Sequence, residues 1–124
     1  MPDSKIDTQN LSVEDVLQLT RDYHELLNQA FPIESDRERV FARTLKLMEE
    51  LGEFANELLT KVGLQRQTKI DSFNQEKLED EFGDVLITVL LLGSELDIDV
   101  AEVMKRKFAF AFERMQNEIE LQEK

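Results

Sequence analysis

The chain has 124 residues, 27 acidic against 15 basic, a formal charge of -12, and no cysteine. That length suits one domain that buries only about two thirds of its unfolded surface. The charge argues against nucleic-acid and anionic-membrane partners, and the missing thiols exclude disulfides, thiolate catalysis and Cys-rich zinc sites.

Residues 1–7 contain no apolar signal core, and the longest uncharged apolar run, Val85 to Leu92, is far too short to cross a bilayer. The expectation is a cytoplasmic protein. Each predicted helix opens with a capping signal. Ser12 with Asp15 begins a helix over 12–29, and Ser35 with Glu38 begins one over 35–61. Gly63 follows the second, where a left-handed C-terminal cap favours glycine. The stretch Leu64 to Asp71 reads as a surface loop, after which Ser72 with Gln75 opens a helix over 72–96 and Asp99 with Glu102 one over 99–121. Four helices joined by mostly short connections imply an all-α antiparallel four-helix bundle, a single domain over 1–124 with its core in 35–121.

In the helix over 72–96, the run Val85 to Leu92 is apolar on every face. Such a helix must be covered on all sides, which a small monomer achieves poorly, so it is expected at the centre of a homodimer or homotetramer. On the last helix, Phe108, Phe112, Met115 and Ile119 share one stripe and read as core.

The acidic residues are not scattered evenly. At 100° per residue, Glu50, Glu53 and Glu57 fall within an arc of about 60°, continued by Lys46 and Arg43 and bordered by Leu47, Leu51 and Phe54. Glu49 points further round, towards solvent. Glu81 and Asp84 share a face of the following helix, and Asp84 stands directly before the apolar run, an expensive place for an unpaired charge. Two faces of inward carboxylates make a hard-oxygen cage suited to Mg²⁺ or Mn²⁺. Zinc fits poorly with His24 as the only histidine, and a di-iron centre lacks its Glu-x-x-His pairs. Spacing alone is weak support, because an acidic-acidic-x-x-acidic pattern arises about once by chance in so acidic a chain. Glu53, Glu57 and Lys61 also have the spacing of a solvated i,i+4 stripe.

Taken together, Lys46-Leu-Met-Glu-Glu-Leu-Gly-Glu53 and Leu78-Glu-Asp-Glu-Phe-Gly-Asp-Val-Leu86 resemble the paired signature E-E-x-x-E and E-x-x-D of the all-α nucleoside triphosphate pyrophosphohydrolases, MazG-like proteins in particular. Lys107-Phe-Ala-Phe-Ala-Phe-Glu113 is similar to the stretch that follows in MazG proteins, so the resemblance spans roughly residues 40–115. It implies a MazG-like bundle assembling as a dimer or dimer of dimers, which hydrolyses a nucleoside triphosphate to the monophosphate and pyrophosphate with Mg²⁺. On these positions the metal ligands are Glu50, Glu53, Glu81 and Asp84, Glu49 is an accessory that positions water, and Lys107 contacts phosphate. Ala111 departs from the pattern, standing where MazG proteins often carry arginine and the dCTPase-like branch asparagine.

Phosphoanhydride cleavage is chiefly positioning and electrostatics. One of Glu49, Glu50 and Glu53 would accept the proton of the attacking water. Arg114 lies on the same helix face as Lys107, seven residues on, and would meet the outer phosphates. Arg21, Tyr23 and His24 on the first helix are candidates to approach a nucleobase, although a lone histidine is more often a structural or surface residue, and Arg66 and Lys69 form a basic loop able to close over phosphates. The competing expectations are a phosphoribosyl-ATP pyrophosphohydrolase, which shares the metal chemistry, and a non-catalytic acidic helical protein that binds a partner through its apolar third helix.

Overall fold

The computed structural model describes residues 6–124, so residues 1–5 of the segment read for a signal core lie outside it. Among the described residues five helices follow in order: α1 (Val13–Ala30), α2 (Asp36–Lys61), α3 (Gln67–Asp71), α4 (Gln75–Glu95) and α5 (Val100–Gln122). There are no strands among the described residues, and no described helix is long and apolar enough to cross a membrane.

The ends of these helices follow from local hydrogen bonding. Ser12 and Asp15 form a reciprocal capping box: Ser12 Oγ accepts from the Asp15 N–H at 3.1 Å, and the Ser12 N–H donates to Asp15 Oδ2 at 3.0 Å. Ser35 and Asp99 cap α2 and α5 through single bonds from Glu38 and Glu102. The stop of α2 is a Schellman turn. Gly63 takes φ +78°, while its N–H and that of Leu64 donate to the carbonyls of Thr60 and Leu59.

The expected start of α4 at Ser72 is corrected. Ser72 instead closes α3, a short helix formed within the expected loop, and its Oγ lies 3.1 Å from the carbonyls of both Thr68 and Lys69. With Ser72 engaged upstream, Asn74 caps α4, its Oδ1 accepting from the N–H groups of Glu76 and Lys77 at 2.8 and 3.3 Å. Asparagine is as good an N-cap as serine, and the Ser-x-x-Gln pattern hid it.

The far end of α4 repeats the Schellman geometry without glycine. Asp97 adopts φ +53°, the Ile98 N–H donates to the Gly93 carbonyl at 2.9 Å, and the Asp97 N–H donates to that of Ser94 at 3.3 Å. A left-handed non-glycine residue is strained by about 1 kcal/mol. Asp97→Gly is therefore expected to stabilise the fold by about 0.5–1 kcal/mol, read as a higher urea midpoint with an unchanged slope.

Packing centres on α4. It lies against α2 along most of its length, against α1 on another side, and α3 rests on α2. Phe54 and Phe82 meet across the α2–α4 seam with ring centroids 5.8 Å apart. Among the described residues the only buried large apolar side chains are Leu78 and Leu91. The buried Thr20, Thr60 and Thr88 each satisfy their hydroxyl on the carbonyl one turn back.

The fourth wall of the expected bundle is absent from this core. From Met104 onward every residue of α5 is exposed, and only Val100 and Val103 are half-buried. Phe108, Phe112, Met115 and Ile119, expected in the core, are 48–65% exposed. Their stripe is amphipathic as read, but α5 leaves the other helices after its first turn and finds no apolar surface among the described residues. The run Val85 to Leu92 is likewise covered on one side only: Thr88 and Leu91 are buried, whereas Leu86, Ile87 and Val89 are exposed.

Candidate metal centre

Because α2 and α4 run antiparallel, the inward arc of α2 faces the first turns of α4. Glu50 and Glu57 are buried on α2, Glu53 stands at the rim between them, and Glu81 is half-buried opposite on α4. One carboxylate oxygen from each of Glu50, Glu53 and Glu81 lies within 4.8 Å of the others. Lys46 Nζ pairs with Glu50 Oε1 at 3.2 Å, and Lys77 Nζ pairs with Glu57 Oε1 at 3.1 Å. Glu50 Oε2 and Glu81 Oε2 are buried without any hydrogen-bond partner.

Three carboxylates this close cannot all be charged cheaply. The Glu81 carboxyl is held above its ordinary pKa, first by burial, then by the charge of Glu53 and by a hydrogen bond to Glu53 that only protonated Glu81 can donate. Asp84 and Glu50 add smaller repulsions in the same direction. Two routes relieve such a cluster: a shared proton or a bound cation. The donor set is wholly carboxylate oxygen, the chemistry of Mg²⁺, Mn²⁺ and Ca²⁺ and not of zinc or copper. The orphaned oxygens of Glu50 and Glu81 therefore fit a hard divalent ion.

The other sequence-derived residues fall less closely around this point. Asp84 is exposed one turn along α4, outside the triad although its charge is felt at Glu81. Glu49 points outwards and is tied to Lys46 Nζ at 3.0 Å. Lys107 Nζ lies 5.6 Å from the centre of the Phe110 ring. Among the described residues neither Lys107 nor Arg114 forms an ion pair with the carboxylates. Lys69 donates to Asn56 Oδ1 at 3.0 Å, and Arg21 is held by Gln18 on its own helix.

A second charged centre escaped the sequence reading. The Glu95 side chain, 5% exposed, receives His24 Nε2 at 2.8 Å from α1 and Arg39 Nε at 3.4 Å from α2. Arg43 Nε lies 3.9 Å away, close enough for attraction but too far for a hydrogen bond, and it has no acceptor. Asn28 links the group by accepting from Arg43 Nη2 at 3.1 Å. The signal was present in the antiparallel register: stepping back along α2 from Glu53 to Arg39 matches stepping forward along α4 from Glu81 to Glu95. The lone histidine is thus a helix-to-helix tie.

A cavity of about 810 Å³ lies beyond this tie, between α1, the last turns of α4 and the start of α5, lined by residues such as Leu17, His24, Leu90, Ser94 and Val100. A smaller one of about 160 Å³ adjoins the Glu57–Lys77 pair. In comparisons with known proteins, no family model, curated protein or solved structure matches the chain.

Proposed function

We propose that Glu50, Glu53 and Glu81 hold a divalent cation, Mg²⁺ or alternatively Mn²⁺, and that the chain is a nucleoside triphosphate pyrophosphohydrolase of MazG-like type. It would release a nucleoside monophosphate and pyrophosphate in the cytoplasm, in the manner of nucleotide-pool cleansing. The observation that carries this reading is the convergence of three carboxylates with two buried oxygens left unpartnered. The resemblance of the two acidic motifs supplies the reaction class.

Within this proposal, Glu50 and Glu81 provide the buried anionic wall and Glu53 the rim ligand, with Asp84 one turn away as an outer ligand. A divalent ion held there supplies charge neutralisation to phosphate oxygens and lowers the pKa of water. Glu49, although it points outwards and pairs with Lys46, keeps the accessory role that the resemblance gives it, as a proton acceptor. Lys107 and Arg114 serve as phosphate contacts if α5 is brought to the site by assembly. Lys77, already beside Glu57, adds a cation at the edge of the cluster.

The test is incubation of purified protein with canonical and modified nucleoside triphosphates and with phosphoribosyl-ATP, with and without Mg²⁺ or Mn²⁺. Monophosphate plus pyrophosphate, formed only with a divalent ion, is the expected result. If no substrate yields pyrophosphate with either ion, the catalytic reading fails.

A further inference from the structure

One turn past the triad, the seam between α2 and α4 changes from acidic to basic. Because the two helices run antiparallel, the step from Glu53 on to Glu57 in α2 is matched by the step from Glu81 back to Lys77 in α4, about 6 Å along the seam. The buried Glu57 meets Lys77 Nζ there at 3.1 Å. Beside the pair lies the cavity of about 160 Å³, walled by α2, by Lys69 of α3 and by the turn at Phe73. At ~30 Å³ per water it has room for about five, close to the size of one phosphoryl group with its oxygens.

Three lysines gather at this end of a chain whose formal charge is -12. Lys69 Nζ donates to Asn56 Oδ1 at 3.0 Å and Lys61 Nζ to Gln75 Oε1 at 3.3 Å. Both acceptors are neutral, and among the described residues neither lysine forms an ion pair, so their charge is held in place without being cancelled. The Asn56 oxygen also accepts from Gln65 Nε2 at 2.7 Å. Both its lone pairs are thereby engaged, and the amide has only its N–H₂ group left to offer. The lining thus presents two ammonium groups and an amide donor against the single carboxylate of Glu57. Lys77 also reaches back to the triad. Its pKa is raised mainly by the hydrogen bond and charge of Glu57, and further by the charges of Glu81 and Glu53. The pair with Glu57 accounts for Lys77 as a structural residue, but it leaves unexplained why Lys69 is fixed at the same recess by a neutral amide. An anion with oxygens to accept from both supplies the missing charge.

We infer that this cavity is a phosphoryl subsite, in which Lys69 and Lys77 hold the end of a di- or triphosphate whose neighbouring phosphoryl group lies at Glu50, Glu53 and Glu81. The inference deepens the metal-centre reading and rests on it for that neighbouring contact. It moves the phosphate contacts from Lys107 and Arg114 on α5 to α3 and α4. Glu57 and Asn56 set the two lysines before any anion arrives, which lowers the cost of ordering them on binding. A separation of one helical turn suits two linked phosphoryl groups, since a lone phosphate cannot touch both places.

Isothermal titration calorimetry of the full chain with inorganic pyrophosphate and with inorganic phosphate, each with and without Mg²⁺, tests it. With Mg²⁺, pyrophosphate should bind at least about tenfold more tightly than phosphate, and Lys69→Gln should weaken it about tenfold at an unchanged melting temperature. Should Lys77→Gln fail to fold because Glu57 is left buried and unpaired, the double change Glu57→Gln with Lys77→Gln removes that charge and should show the same loss. Wild type that binds no pyrophosphate overturns the subsite, and so does Lys69→Gln that binds it as wild type does. Pyrophosphate binding weakened by Lys69→Gln supports the subsite even where no nucleotide is hydrolysed. Nucleotide turnover with KM and pyrophosphate affinity both unchanged in Lys69→Gln discards the subsite and keeps the catalytic reading.

Discussion

Glu81→Gln is expected to make the metal-free protein more stable at neutral pH and to lower metal-dependent pyrophosphate release by about 100-fold or more. These opposite effects share one cause. Burial and the neighbouring Glu53 raise the Glu81 pKa in the fold, so the native state binds more protons than the unfolded chain between the unfolded and folded pKa values. Stability therefore falls as pH rises through the folded pKa, and the penalty is fully present above it. Acidifying the metal-free wild type from neutrality towards the weakly acidic range should raise its melting temperature until other carboxylates titrate. Glutamine removes the penalty at all pH values, so this rise should be smaller in the variant. Added Mg²⁺ should relieve the same repulsion, raising the wild-type melting temperature at neutral pH and doing much less for Glu81→Gln. Thermal melts at several pH values, with and without Mg²⁺, check each part. A variant that is destabilised at neutral pH would show that Glu81 serves the fold by its charge, contrary to the metal-centre reading.

The largest stability loss is expected at the other end of α4. Glu95→Ala should cost about 3 kcal/mol, near the lower end of the range for breaking a buried ion pair. Arg39 and Arg43 would be left facing each other without their shared carboxylate, and His24 would lose its tie to α4. The arginine side chains keep 21% and 17% exposure, so water softens the penalty, which places it below that of a fully buried pair. Urea denaturation should show a lower midpoint with an unchanged slope. His24→Gln, which retains a hydrogen-bond donor, should cost about 1 kcal/mol. A loss below that for Glu95→Ala would mean that the hub is replaceable by solvent. Glu95 lies about 21 Å along α4 from Glu81, so divalent-ion binding by the folded fraction should be unaffected.

Much of this arrangement was legible in the residues. The caps at Ser12, Ser35 and Asp99, and the glycine stop after α2, depend on hydrogen bonds across three or four residues. The sequence order carries all that such bonds need. Where it misled, at Ser72, two good caps stood two residues apart, and the choice lay with a turn that the loop composition did not announce. The grouping of Glu50, Glu53 and Glu81 was also visible, because helical periodicity puts Glu50 and Glu53 on one arc of α2 and the paired acidic motif sets Glu81 beside them. Their number was not decisive in so acidic a chain; the two unpartnered buried oxygens were.

The sequence by itself thus determined where the four long helices lie, how most of them begin and end, and which carboxylates share a face. Only the tertiary structure decided which arc of α2 turns inward, that Glu95 is neutralised by residues from two other helices, and that α5 leaves the core. Helical periodicity sets the carboxylates Glu50, Glu53 and Glu57 nearly opposite the exposed Leu45, Met48 and Leu59 on α2, but it does not say which of the two sides meets α4. That choice is made by contacts between residues far apart in the chain, which periodicity does not encode.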